Sequence, residues 1–151
     1  MKLSEAILLG GSLHKQCTGS WFKTETEDVT VCGLGAASSA IEEFDPVNMV
    51  APWCVKQEEL NRRIKVMSAK YPFIFVYHSV PPFKIGGGIA ITYSSVGQAI
   101  VHMNDCLRWS LEKIAAQIAE WEKEHPEWYE STESGQNTLQ TECPQESFVS
   151  S

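Results

Sequence analysis

The segment HMNDC, residues 102–106, holds two side chains that could bind a metal ion. His102 and Cys106 are four residues apart, so a helix through the segment would project both from the same face. Imidazole and thiolate both suit zinc, and a structural zinc site needs about four ligands. The chain offers only the distant His78 and Cys54 to complete such a set. Because a second closely spaced pair is missing, we predict no metal, and His102 and Cys106 would be its ligands if one bound.

A second chemistry would use Cys32 as nucleophile, His102 as base and Asp105 to orient the base. Cys32 directly precedes a predicted helix, whose positive end would lower the pKa of the thiol. Cysteine is also among the most buried residue types, and a packing role competes with the catalytic one. A cysteine-dependent hydrolase is therefore the second hypothesis, with Cys32, His102 and Asp105 as the catalytic candidates.

The favoured interpretation of the same segment is a structural corner between two helices. Asn104 and Asp105 are turn-forming residues whose short side chains can hydrogen bond nearby backbone groups. Ser110 supplies a hydroxyl that can cap the following helix, and Trp109 precedes it where an apolar side chain seals a helix start. We therefore expect Asn104, Trp109 and Ser110 to form this corner, with His102 packed against it.

The elements around these residues indicate an α+β domain that is mostly helical, with about five helices and a small two-stranded β element. Apolar periodicity and capping residues predict helices at about 3–9, 33–44, 55–71, 94–105 and 110–124. The first is expected to end at GGS, residues 10–12, because glycine is costly inside a helix. Strands are predicted within 28–32, 73–80 and 89–93, with a loop at 44–53 and a turn or mobile loop at 81–88.

Charge divides the chain into a near-neutral body and an acidic end. Residues 1–121 hold 12 acidic and 11 basic side chains, whereas 122–151 hold seven glutamates and one lysine. We therefore predict one globular domain at 1–130 and a disordered acidic and polar tail at 131–151. Nothing in this balance suits direct nucleic-acid binding, and the one basic cluster, NRRIK at 61–65, is expected on a solvated helix face.

Other features point to a soluble cytoplasmic protein with no cofactor. No run of about eighteen apolar residues is present, so no membrane span is predicted. The five cysteines are an odd number without close pairs, which favours reduced thiols in the cytoplasm. KIGGGIA, residues 84–90, lacks the lysine and the serine or threonine of a phosphate-binding loop.

Three segments, MKLSEAILLG, VCGLGAASSAI and IVHMNDCLRWSLEKIAAQIAEW, together resemble a family of small bacterial and phage proteins of unknown function. Members have a Cys-Ala-Leu-Gly-Ala helix and a later His-Leu-Asn-Asp segment followed by Trp. The matching positions here are Cys32, Leu34, Gly35, Ala36, His102, Asn104, Asp105, Trp109 and Ser110. The resemblance implies a related fold and a phage or mobile-element origin, and it implies no reaction.

These observations make a non-enzymatic, phage- or mobile-element-associated protein the leading hypothesis. It would act in the bacterial host cytoplasm through contact with a protein partner, because catalytic signatures are weak and the middle of the chain is rich in aromatic residues. The cysteine-dependent hydrolase and a metal-stabilised binding module remain as alternatives.

Overall fold

The computed structural model describes residues 1–77, 80, 83–85 and 89–130. Within them the chain forms six helices: α1 (Leu3–Leu13), α2 (Gly33–Ile41), α3 (Gln57–Lys70), α4 (Val96–Asp105), α5 (Leu111–Glu124) and α6 (Glu127–Glu130). The strands of the same residues are β1 (Lys15–Gln16), β2 (Phe22–Lys23), β3 (Thr30–Val31), β4 (Met49–Ala51), β5 (Cys54–Val55), β6 (Phe83–Ile85) and β7 (Ile89–Ile91). The predicted mostly helical α+β class is confirmed.

The strands form three small sheets rather than one. The largest has the order β1-β3-β2, with β1 parallel and β2 antiparallel to β3. Val31 lies opposite Gln16 on one side and opposite Phe22 on the other. The pairs β4–β5 and β6–β7 are separate antiparallel hairpins. Several of these short strands lie next to a helix in the chain: β1 follows α1, and β3, β5 and β7 precede α2, α3 and α4.

Helix α1 packs against α2 and α5 around an apolar core. Fully buried side chains of this core include Leu3, Ile7, Phe22, Val31, Met67, Ile74, Ile100, Met103, Ile114 and Ile118. The α1–α2 contact is made by backbone, because a Cβ on Gly10 would lie 2.0 Å from the carbonyl oxygen of Ala36. Glycine is therefore required at position 10 by the close approach of the two helices.

This contact explains one wrong prediction. The helix does not end at GGS but continues through Gly10 and Gly11 to Leu13. The cost of glycine inside a helix, about 1 kcal/mol relative to alanine, is small beside the packing that the α1–α2 approach permits. Local propensity therefore loses to tertiary contact at this position.

The middle of the chain also departs from the predicted pattern. The predicted loop at 44–53 contains β4, and its end leads into β5, so a hairpin forms there. The described residues 73–77 form turns instead of a strand, while 78–79 lie outside the described residues. The strand predicted near 89–93 is confirmed as β7, and β6 lies within the predicted turn at 81–88. The predicted tail at 131–151 lies outside the described residues.

A buried arginine closes the C-terminal end of α2. The Arg63 side chain is 2% exposed, and its Nη1 donates to Ser38 Oγ at 2.7 Å and to the Glu42 carbonyl at 2.9 Å. Its Nε donates to the Glu59 carboxylate at 2.7 Å. The expectation that the basic cluster at 61–65 is a solvated face is therefore wrong for Arg63. Its charge instead lies beside helix carbonyls that have no partner within the helix.

A buried carboxylate lies at the N-terminal end of α1, the helix end of opposite polarity. Glu122 of α5 accepts hydrogen bonds from Ser4 N–H at 3.1 Å, Ser4 Oγ at 2.6 Å and the Tyr129 hydroxyl at 2.5 Å. The Tyr129 oxygen in turn accepts from Leu3 N–H at 3.0 Å. The negative side chain thus faces the positive end of α1, where it is stabilising.

The glycine pair in α1 gives a matched test of this packing. Gly10→Ala should lower the free energy of unfolding by about 3 kcal/mol, because the new methyl group collides with backbone that cannot move aside. Gly11→Ala should stay within about 1 kcal/mol of the parent, because its Cβ meets only the Leu111 side chain, nearest at Cδ1 at 3.0 Å, and the helix gains propensity. Urea denaturation of both variants measures the difference, and equal losses would contradict the backbone contact.

Candidate functional site

Cys32 lies at the junction between β3 and α2. Its backbone is extended, and its Sγ accepts a hydrogen bond from Gly35 N–H at 3.4 Å, so the thiol caps α2. Burial is the main cause that raises the pKa of Cys32 to about 12. The prediction that the helix end lowers this pKa is therefore wrong, because loss of water around the sulfur outweighs the helix N–H groups. The thiol is protonated at neutral pH and is a poor nucleophile.

His102 points to a different partner. Its Nδ1 is 2.7 Å from the Tyr93 hydroxyl, and the two rings lie 5.3 Å apart between centroids. Within the described residues, neither Cys32 nor Asp105 forms a hydrogen bond with His102. Asp105 instead accepts from Gly19 N–H at 3.0 Å, which holds the loop after β1. The three catalytic candidates are thus not linked as nucleophile, base and orienter.

His102 and Cys106, the pair that would bind a metal ion if one bound, are not joined by further ligands within the described residues. Among the residues that the structure describes, no group of three or more His, Cys, Asp or Glu side chains could hold a metal ion. Cys106 is exposed and ends α4, and its backbone N–H donates to the His102 carbonyl. The backbone groups of His102 and Cys106 therefore form the last hydrogen bond at the C-terminal end of α4 that involves this pair.

Asn104 is the residue of the HMNDC segment with the most extensive contacts. Its side chain is fully buried, its Oδ1 accepts from Gly33 N–H at 3.1 Å, and its Nδ2 donates to the Cys17 carbonyl at 2.9 Å. Gln16 Nε2 donates to the same Oδ1 at 2.8 Å, and Asp105 Oδ1 accepts from Nδ2 at 2.8 Å. Asn104 therefore joins α4 to β1 and to the first turn of α2.

The position of this amide follows from the β1–β3 ladder. Cys17 N–H donates to the Val31 carbonyl at 2.7 Å, as in a regular parallel pair. The next ladder bond would join Gly33 N–H to the Cys17 carbonyl. Both groups bind the Asn104 side chain instead, because its amide offers the same donor and acceptor as a peptide group.

The chain between α4 and α5 makes a tight corner. Arg108 adopts a left-handed backbone with φ of 57°, and Trp109 N–H donates to the carbonyl of Met103, six residues earlier, which closes the end of α4. Ser110 then caps α5, with its Oγ accepting from Lys113 N–H at 3.1 Å. The Lys113 ammonium lies 4.3 Å from the centre of the Trp109 ring.

A surface that the sequence did not single out lies on the β4–β5 hairpin. Three large apolar side chains are mostly exposed on it or in the 3-10 turn Pro46–Asn48 that leads into it: Val47 by 65%, Val50 by 67% and Trp53 by 60%. The signal in the sequence was PVNMVAPW, residues 46–53, where apolar residues alternate with turn formers. Prolines led to a loop prediction, and nothing local distinguishes an exposed tryptophan from a buried one.

An open cleft of about 840 Å³ begins beside this hairpin at Pro46. Its walls come from the end of α1 and β1, residues 11–16, from the segments 27–29, 43–44 and 111–112, and from Pro46. The floor includes the buried Phe44 ring and Leu111 side chain. The cleft therefore has apolar surface at its base.

The rim of the cleft is acidic. Its exposed carboxylates are Glu27, Asp28, Glu43 and Glu112. Lys15 is the one Lys or Arg side chain in the described lining. Because residues 1–121 as a whole carry nearly equal numbers of acidic and basic groups, this excess is local to the cleft.

Comparisons with protein-family models, with curated proteins and with solved structures gave no match. In the described part of the chain, no helix has both the length and the apolar character needed to cross a membrane.

The central role of Asn104 predicts a large loss of stability when its amide is removed. Asn104→Ala should lower the free energy of unfolding by about 3 kcal/mol or more, because buried Gly33 N–H and Cys17 carbonyl groups lose their partner. Ser110→Ala, which removes an exposed cap, should cost about 1 kcal/mol and serves as the control. Denaturant unfolding compares the two, and a smaller loss for Asn104→Ala would contradict this role.

The raised pKa of Cys32 predicts low reactivity in the folded protein. Iodoacetamide at pH 7.5 should label the exposed Cys54 and Cys106 and leave Cys32 unmodified. Peptide mass spectrometry measures each site, and the same reaction in urea should label all three. Rapid labelling of Cys32 in the folded protein would revive the hydrolase hypothesis.

Proposed function

We propose that this protein is a non-enzymatic binding module that docks a protein partner on the β4–β5 hairpin and the acidic cleft beside it. Its setting, taken from the resemblance described above, is the cytoplasm of a bacterial host, in association with a phage or mobile element. The cysteine-dependent hydrolase is less well supported, because Cys32 is buried with a raised pKa and has no hydrogen bond to His102.

The observation that carries this proposal is the exposure of Val47, Val50 and Trp53 within seven residues. Adjacent large apolar side chains on a folded surface are typical of binding sites. Tryptophan is enriched among the residues that supply most of the binding energy at protein interfaces. Trp53 is therefore the expected anchor of the interface.

The hairpin that carries these side chains is fixed to the rest of the domain. Thr24 N–H donates to the Pro52 carbonyl at 2.8 Å, and Lys56 N–H donates to the Asn48 carbonyl at 2.8 Å. Val55 is buried against the core. A fixed backbone loses little conformational entropy when a partner binds, which favours affinity.

The charge of the cleft defines the chemistry of the partner. Four exposed carboxylates around an apolar floor complement a segment that carries Lys or Arg side chains on one side and apolar side chains on the other. We assign the cleft to such a cationic amphipathic segment of the partner. Val47, the residue after Pro46, connects the apolar hairpin to the cleft.

The same charge argues against other occupants. Residues 131–151 of this chain carry three glutamates and no lysine or arginine, so they would be repelled by the rim. Nucleic acids and anionic lipid surfaces carry negative charge and would also be repelled. A basic protein segment remains the best complement.

A designed peptide tests this assignment. The probe is a synthetic helical peptide with leucine on one face and lysine on the other, titrated into ¹⁵N-labelled protein at low salt. We expect amide shifts at Glu27, Glu43, Glu112 and Trp53, because these positions line the proposed surface. The triple variant Glu27→Gln, Glu43→Gln, Glu112→Gln should bind at least about tenfold more weakly.

Matched variants separate the surface from the rest of the molecule. Trp53→Ala should weaken binding by about tenfold or more, whereas Val101→Ala, another exposed apolar position, should not. Glu120→Gln, which is exposed and pairs with Lys123, controls for general loss of charge. Equal binding of a peptide with glutamate in place of lysine, or shifts confined to another face, would contradict the proposal.

A further inference from the structure

We propose that Cys17 and Cys32 are a modification site at which a hydroperoxide oxidises the two thiols to an intramolecular disulfide. The inference does not rest on the proposed binding function, since the sulfur atoms of both residues lie outside the hairpin. It follows from the register of the parallel strands and from the way the Asn104 side chain holds their ends.

The strand register brings the two cysteines opposite each other. In the β1–β3 pair, Lys15 faces Thr30 and Gln16 faces Val31, so Cys17 and Cys32 are the residues that directly follow the last pair of the ladder. The hydrogen bond from Cys17 N–H to the Val31 carbonyl at 2.7 Å holds Cys17 beside the end of β3, and the Asn104 amide takes the place of the next ladder bond. Neighbouring parallel strands lie about 5 Å apart, so the two cysteines leave the ladder at about that Cα separation. That separation lies within the range of about 4.4–6.8 Å found for disulfides.

The surroundings keep the pair in place. Asn104 binds the Cys17 carbonyl at 2.9 Å and the Gly33 N–H at 3.1 Å, so one buried side chain fixes the backbone beside both cysteines. Burial raises the pKa of both thiols, and that of Cys32 to about 12. Cys17 is partly exposed and Cys32 is buried.

This difference in exposure sets the order of the chemistry. The Cys17 thiolate attacks hydrogen peroxide, the O–O bond breaks, and Cys17 becomes a sulfenic acid as hydroxide leaves. The Cys32 thiol is too buried to meet peroxide, but it lies near Cys17 and attacks the Cys17 sulfur, while its proton passes to the sulfenic oxygen, which leaves as water. In total, two thiols and one hydrogen peroxide give one disulfide and two waters. Thiol reductants reverse the reaction by exchange.

The disulfide would close the segment from β1 to the start of α2 into a loop. Closing a loop of this length restricts the unfolded chain, so oxidation should raise the thermal midpoint by roughly 5–10 °C. The rise would disappear when the protein is reduced. A disulfide at this position would also tie β1 to the α2 cap by a covalent bond in addition to the Asn104 hydrogen bonds.

The experiment uses the full chain with the other cysteines replaced: Cys54→Ser, Cys106→Ser and Cys143→Ser. After treatment of the folded protein with hydrogen peroxide, we expect an intact mass lower by two hydrogens. Trypsin cuts after Lys15, Lys23 and Lys56, so the link should join peptides 16–23 and 24–56. Dithiothreitol should separate the two peptides and restore the original thermal midpoint.

A further Cys17→Ser change in the same background is the control, and it should show no linked peptide and no midpoint shift after peroxide. Two results would overturn the proposal. One is a folded protein in which Cys17 is oxidised to sulfinic acid without any link to Cys32. The other is a link that forms only when peroxide is added in urea, since the native register would then play no part.

Discussion

The fold depends on one buried carboxamide. Asn104 sits in α4, yet its hydrogen bonds reach β1 and the first turn of α2, and they take the place of a missing rung in the β1–β3 ladder. A buried backbone group without a partner is costly, so the end of this ladder and the start of α2 both need an amide at this point. The contact fixes α4 relative to the sheet and places Cys32, Gly33 and the α4–α5 corner around one side chain.

Helix α2 is held in this arrangement by close contacts and buried charge. Its backbone meets that of α1 at Gly10, and a Cβ at Gly35 would lie 1.9 Å from the Trp21 carbonyl oxygen. Its C-terminal carbonyls bind Arg63, while α1 begins against Glu122. Each buried charge faces the helix end of opposite polarity, so its burial is compensated by the helix dipole and by hydrogen bonds.

Local signals in the sequence predicted most helices and their caps. Ser95 and Ser110 cap α4 and α5, and the small-residue segment after Cys32 forms α2. Long-range features were not predictable in the same way. Asn104 looked like a residue that bonds to nearby backbone, but its partners Gln16, Cys17 and Gly33 are 71 to 88 positions away. Periodicity in the sequence indicates which face of a helix or strand is apolar. It does not indicate which distant residue will contact that face.

The most direct test of the account is amide hydrogen exchange at Gly33, followed by NMR. This N–H belongs to the first residue of α2 and would exchange readily if it were bound only to water. Since it donates to the buried Asn104 Oδ1, we expect it to exchange only through global unfolding, with the same protection as the core amides of Ile114 and Ile118. Exchange of Gly33 many times faster than these core amides would show that the Asn104 bridge opens locally and would contradict its central role.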